Sequence, residues 1–107
     1  MTDADYQFFQ DYADAFRQRH GYTGHRTVQL RHQTQEAVMV LHALLLSFPK
    51  KEQTLSRLRE FAATMGVLQA ERRLRSRSER ERIHGKLWSE LTDDESVLAR
   101  IFELRRR

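Results

Sequence analysis

Arg73, Arg77, Arg80 and His84 recur at i, i+4, i+7 and i+11, in and just beyond the stretch ERRLRSRSERER (Glu71 to Arg82). That stretch holds six arginines, three glutamates and a single apolar residue, Leu74. If residues 69–84 are one helix, the spacing puts all four side chains on one face, spread over roughly 16 Å at about 1.5 Å per residue. A guanidinium presents a planar fork of donors that matches a phosphate better than an ammonium does. Ser76 and Ser78 would add hydroxyl donors. The chemistry implied is contact with a nucleic-acid phosphate backbone, which positions a protein without reading bases. Arg72, Arg75 and Arg82 fall on the other sides and would support the stripe, while Glu81 flanks and weakens it. Glu71–Arg75, Arg75–Glu79 and Arg77–Glu81 are also i,i+4 pairs, each worth about 0.2–0.5 kcal/mol in an isolated helix. A salt-bridged, exposed helix with no ligand is therefore the rival account, and an acidic protein partner a third.

Weaker candidates lie elsewhere. Lys50 and Lys51 follow Pro49 as a basic pair at a helix start, and His25, Arg26 and Arg31 form a second small basic patch. Both count as candidate phosphate contacts. His20, His25 and His32 surround the HGYTGHR turn, but none is spaced i, i+3 or i, i+4 on one helix, and there is no cysteine, so neither a metal site nor a cofactor is expected. Asp11 and Asp14 share a helical face that partial solvation explains. No glycine-rich phosphate loop, nucleophile elbow or acid–base constellation is present, and the expectation is a protein without catalytic activity. RTVQLRHQTQEAV lacks the preceding helix and short glycine turn of a helix-turn-helix. The terminal arginines, Arg105 to Arg107, suit a helix carboxyl end.

The elements that must position these residues read almost entirely as helix. With one proline, four glycines and no alternating Val/Ile/Thr runs, strands have little to build on. A first helix is expected over Asp3 to His20, with Tyr6, Phe9, Ala13 and Phe16 at helical spacing and Phe8 and Tyr12 widening the apolar face. Gly21 ends it. A second spans Thr27 to Phe48 and turns apolar nearly all round in its latter half, as a central helix does. A third runs from Lys50 to Met65, where Gly66 could cap it or sit within a longer helix, and a fourth helical stretch follows from Val67 through the arginines to Leu91, with a kink possible at Gly85. TDDE, Thr92 to Glu95, reads as a capping box opening the last. The fold class expected is all-α, a compact bundle of four to six helices in a single domain over residues 1–107.

Bulk properties bound the function. A chain of 107 residues buries roughly 60–70% of its extended surface, enough for a core without staples. The net charge is +4 and sixteen of the nineteen basic residues are arginine, a bias that a GC-rich genome would also produce. The first sixty residues hold eight Lys/Arg against seven Asp/Glu, the remainder eleven against eight, with much of the excess between Arg72 and Lys86. MTDADYQFFQDYADAF is acidic and aromatic, unlike a secretory leader, and AVMVLHALLLSF is too short for the ~20 residues of a membrane span. A cytoplasmic protein without a membrane partner is expected. The leading functional expectation is a small helical subunit that holds RNA or DNA by its phosphates inside a larger (ribonucleo)protein assembly. The alternative is a helical adaptor or inhibitor of the phage- or plasmid-encoded kind, acting by protein contact. Its interface would use Leu41, Leu44, Leu45 and Phe48 with Phe8 and Tyr12, and the first four could also be the seam of a homodimer.

Overall fold

Thr2, Thr54, Ser78 and Asp94 each stand in extended backbone just ahead of a helix. Their side-chain oxygens accept amides of the first turn, from Asp5, Arg57, Glu81, and Ser96 with Val97 respectively. These caps satisfy donors that a helix start otherwise leaves open. They open four of the five helices of the computed structural model, which describes residues 1–106: α1 Asp3–Arg19, α3 Leu55–Leu74, α4 Glu79–Leu91 and α5 Glu95–Leu104. The remaining helix, α2 Thr27–Ser47, is entered through a single 3-10 turn, Gly24–Arg26, and another, Lys50–Glu52, follows it. No strand occurs among the described residues, so the chain is an all-α bundle of five helices. Arg107, the last of the terminal arginines, lies outside them.

α1 ends where expected: Gly21 takes φ 70°, a left-handed value that glycine adopts without steric cost, and the chain reverses there. α2 is central, packing against each of the other four helices. Leu41, Leu45 and Val38 from α2 meet Phe9, Leu58, Trp88, Leu98 and Ile101 in the main core. Ala13, Phe16, Leu30, Ile83 and Leu87 form a second cluster toward the other end of α1. Tyr6, expected on the core face of α1, is exposed, and the buried residue there is Asp5. Its carboxylate closes the capping box with Thr2 and accepts Arg100 Nε of α5 at 3.0 Å, tying the first turn of the chain to its last helix.

The largest departure from the sequence reading is the path between Met65 and Leu91. α3 does not stop near Gly66 but continues to Leu74. The chain then breaks at residues 75–78 and returns as α4 in an antiparallel helical hairpin. Gly85 is no kink. It is a contact point, where a Cβ would lie 3.0 Å from the Cβ of Arg73 and 3.3 Å from Leu74. Gly66 serves the reciprocal role at the other end of the pair, where a Cβ would overlap Thr92 Oγ1 and lie 3.0 Å from its Cβ. Thr92 does not open α5. It is buried at the carboxyl end of α4, its hydroxyl donating to the Trp88 carbonyl at 2.7 Å, and Asp94 makes the cap instead.

Gly66→Ala should therefore destabilise the protein, although alanine is the better helix former. The added methyl must displace a buried, hydrogen-bonded threonine, an overpacking cost of about 1–3 kcal/mol. Urea unfolding is expected to show that loss, and to show part of it recovered in Gly66→Ala/Thr92→Ala, where the overlapping oxygen is gone.

Candidate nucleic-acid interface

The tip of the α3–α4 hairpin is built by its own polar groups. Ser76 Oγ accepts the Ser78 amide at 3.1 Å, Ser78 Oγ caps α4, and the Arg82 guanidinium donates to the Ser76 carbonyl at 2.9 Å. Glu79 and Glu81 sit in the first turn of α4, where a helix dipole favours negative charge. Each also takes an arginine. Glu81 Oε2 lies 2.7 Å from Arg73 Nη1, across the hairpin, and Glu79 Oε2 lies 2.9 Å from Arg26 Nη2, from the turn before α2. Both arginine side chains are only 16% exposed.

The break at 75–78 dissolves the single stripe expected of Arg73, Arg77, Arg80 and His84. Arg73 belongs to α3 and is engaged by Glu81 and by Gln69 Oε1. His84 is buried against the rest of the fold and cannot meet a phosphate. Burial, then the nearby Arg73 guanidinium, hold its imidazole below the ordinary histidine value. The expected i,i+4 pairs among residues 71–81 are replaced by the two longer-range pairs just described. Exposed at the tip are Arg72, Arg75, Arg77, Arg80 and Arg82, joined by Lys86. Arg82 and Lys86, four residues apart, share one side of α4, and Arg80 leaves from nearly the opposite side. Beside Arg82 and Lys86 lies an open cleft of about 360 Å³, lined also by Tyr22, Leu74, Glu79 and Ile83. Tyr22 is half-buried, with its ring stacked on His20 at 5.7 Å between centroids.

The other expected contacts lie apart from this tip. Lys50 and Lys51 are exposed, on the 3-10 turn rather than at a helix start. Arg31 is held by Asp14 through two hydrogen bonds of 3.0 and 2.7 Å, which keep that carboxyl below its usual range. With Arg26 on Glu79 and His25 on Thr23 at 2.6 Å, the second basic patch is committed internally. His20 pairs with Glu90, which Arg19 also reaches at 2.9 Å, and His32 is exposed on α2.

The expected protein interface is largely interior. Leu41 and Leu45 are fully buried within the chain, so neither can form a seam. Leu44 is half-buried, and Phe48 packs edge-on against Phe61 at 5.4 Å beneath the Arg57 guanidinium. Phe8 lies against Phe9 and under Arg100, at 5.3 and 4.8 Å. Tyr12 is half-buried, and burial followed by the charges of Asp94 and Glu90 raises its hydroxyl pKa. The sequence reading passed over Lys86 and the cleft beside Tyr22. The four-residue spacing of Arg82 and Lys86 was available, but the approach of Tyr22 to α4 is tertiary.

The chain matches no family model, no curated protein and no solved structure.

His84 gives the fold a pH dependence of known sign. Because its folded pKa lies below the unfolded value near 6.5, both states hold it neutral at higher pH and it contributes its full stability there. As pH falls below about 6.5 the unfolded chain takes up the proton first, and that contribution drains away toward and past the folded pKa. His42 is shifted in the same direction by burial, so wild type and variant share that background. Urea titrations at pH 7.5 and 5.0 should show a smaller acid loss in His84→Gln than in wild type; equal losses would remove His84 as a contributor.

Proposed function

We propose that this protein is a small, non-catalytic helical subunit that holds a nucleic-acid phosphate backbone, without reading sequence, inside a larger (ribonucleo)protein assembly. One observation carries the reading. Seven cations lie between Arg72 and Lys86, and among the described residues only Arg73 has a carboxylate partner, Glu81. Glu79, the other acid of the tip, is occupied by Arg26. Arg72, Arg75, Arg77, Arg80, Arg82 and Lys86 are left facing solvent without a neutralising carboxylate. A salt-bridged helix of the kind that needs no ligand would have paired them along its surface; here the pairing is spent on fixing the tip.

A collar of guanidiniums pointing in several directions suits a backbone that is charged on all sides, and it supplies positioning rather than base readout. Ser76 and Ser78 use their oxygens as acceptors in the turn, which leaves their hydroxyl hydrogens available to a phosphate oxygen. The Tyr22 cleft, flanked by Arg82 and Lys86, offers an aromatic edge beside cations, the combination that single strands use.

Fluorescence anisotropy with single-stranded RNA, single-stranded DNA and duplex DNA over a salt series tests this. Binding is expected to fall with salt, the log–log slope being about −0.9 for each duplex phosphate neutralised. Arg77→Ala/Arg80→Ala/Lys86→Ala, whose side chains support nothing else in the fold, should lower the affinity and make the duplex slope shallower by about 2.7. Absence of binding at low salt would overturn the reading and leave the adaptor acting by protein contact.

A further inference from the structure

The side of α3 that borders the carboxyl end of α4 is apolar and partly uncovered, with Ala70 buried and Val67 and Leu74 exposed. Val67 and Leu74 are 56% and 49% exposed, two of the eight large apolar side chains that stand in solvent among the described residues. Val67 and Leu74 alternate with Ala63 and Ala70 at steps of four, three and four residues, the a/d spacing of a coiled-coil seam with a large residue at each a and alanine at each d. The seam floors an open groove of about 310 Å³, whose far wall is Ser89, Thr92 and Asp93. Since Gly66 lets Thr92 press directly onto α3, the groove is shallow and open along its length rather than closed by α4.

Charge is divided between the two ends of this seam. At its amino-terminal end stand Glu60, Asp93, Asp94 and Glu95, four carboxylates against the guanidiniums of Arg57 and Arg59, which pair with Glu60 and Glu95 at 2.9 and 2.7 Å. At its carboxyl-terminal end Arg72 and Arg75 are exposed and unpaired, with Glu71 the one exposed acid beside them. One end is net negative and the other net positive.

We infer that this seam is the docking surface for a second copy of the chain, with the two α3 helices antiparallel about a two-fold axis. A self-complementary surface needs residue i of one copy to meet residue j of the other while j meets i. An axis passing between Leu68 and Gln69 does this for every seam position: Ala63 meets Leu74 of the second copy, and Val67 meets its Ala70. Large residues fall opposite small ones, the arrangement by which facing helix layers interdigitate. The same rotation carries the Arg72 and Arg75 end of each copy over the Glu60 and Asp93 end of the other. A parallel pairing would instead set alanine on alanine and arginine on arginine. The seam shares Arg72 and Arg75 with the proposed phosphate surface, while Arg77, Arg80, Arg82 and Lys86 take no part in it.

The test is sedimentation equilibrium of the full chain, free of nucleic acid, across a concentration series. Wild type is expected to approach twice the 12.8 kDa of one chain, and Val67→Glu to remain at one with unchanged helical circular dichroism, since the side chain is more than half exposed. The register is read by disulfide trapping, which the absence of native cysteine makes clean. Ala63→Cys/Leu74→Cys should give a covalent dimer on mild oxidation. Neither single variant should, because identical positions sit about 16 Å apart along the helix axis. A single-chain mass at every concentration overturns the inference, including the case where some other protein's helix fills the groove. So does a dimer indifferent to Val67→Glu, or one trapped by either cysteine alone.

Discussion

The near-contact of α3 and α4 at two glycines determines most of what is distinctive here. Two helices ordinarily pack with axes 8–10 Å apart because side chains intervene. Gly66 and Gly85 contribute no side chain of their own, so Gly66 receives the Thr92 side chain directly and Gly85 receives the Arg73 Cβ and the Leu74 backbone nitrogen and Cγ. The hairpin is clamped near both of its ends, so α4 must reverse direction within residues 75–78 instead of continuing α3. Reversal also returns Ile83, Leu87, Trp88 and Leu91 to the core, where they complete the packing around α2. A straight helix through the arginines would have carried all four away from it.

The hairpin then sorts the charges. A tip that projects beyond the core cannot bury apolar side chains, and its sequence supplies none between Arg75 and Arg82. What holds the tip in place is electrostatic and polar: Arg73 to Glu81 across the two helices, Arg26 to Glu79 from the turn before α2, and Arg82 to the Ser76 carbonyl. Each carboxylate occupied in this way is one fewer available to the remaining arginines. Structural pairing and the unneutralised collar are therefore two consequences of the same placement of two glutamates at the start of α4. The half-covered pairs hold the backbone still, and a still backbone lowers the entropic cost that long basic side chains incur when a phosphate orders them.

Much of this was legible in the sequence, and the misses share a cause. Helix content, the termini of α1, the central place of α2 and the apolar faces of Phe9, Ala13 and Phe16 follow from periodicity and local capping, which are near-neighbour physics. Residues 66–92 are hard to read because a glycine in a helical pattern has several meanings: Gly66 fits a cap or the interior of a longer helix and Gly85 a kink, whereas both are places where another segment comes close. Thr92 to Glu95 carries the letters of a capping box, but Thr92 is drawn into the core by Gly66 and the cap passes to Asp94. Asp5, in the first turn of α1, is buried where Arg100, 95 positions away, comes to meet it. The two basic patches were read from residue type alone. Which arginines stay free depends on partners distant in sequence, Asp14 for Arg31 and Glu79 for Arg26, and composition cannot reveal them.

The two proposed surfaces bear on each other through geometry. An antiparallel α3 pair would place the two hairpin tips at opposite ends of the seam, about 20–25 Å apart along it by helix rise. A single tip with a handful of cations binds a backbone weakly at physiological salt, as sequence-independent contacts do. Two tips on one rigid body change that, since once the first is engaged the second meets the same strand at a high effective concentration. The gain requires a nucleic acid long enough to reach both, and it vanishes when the span exceeds the strand. A chain this small has little surface for a deep, sequence-reading interface. Doubling a shallow one across a two-fold axis raises affinity without adding any base contact.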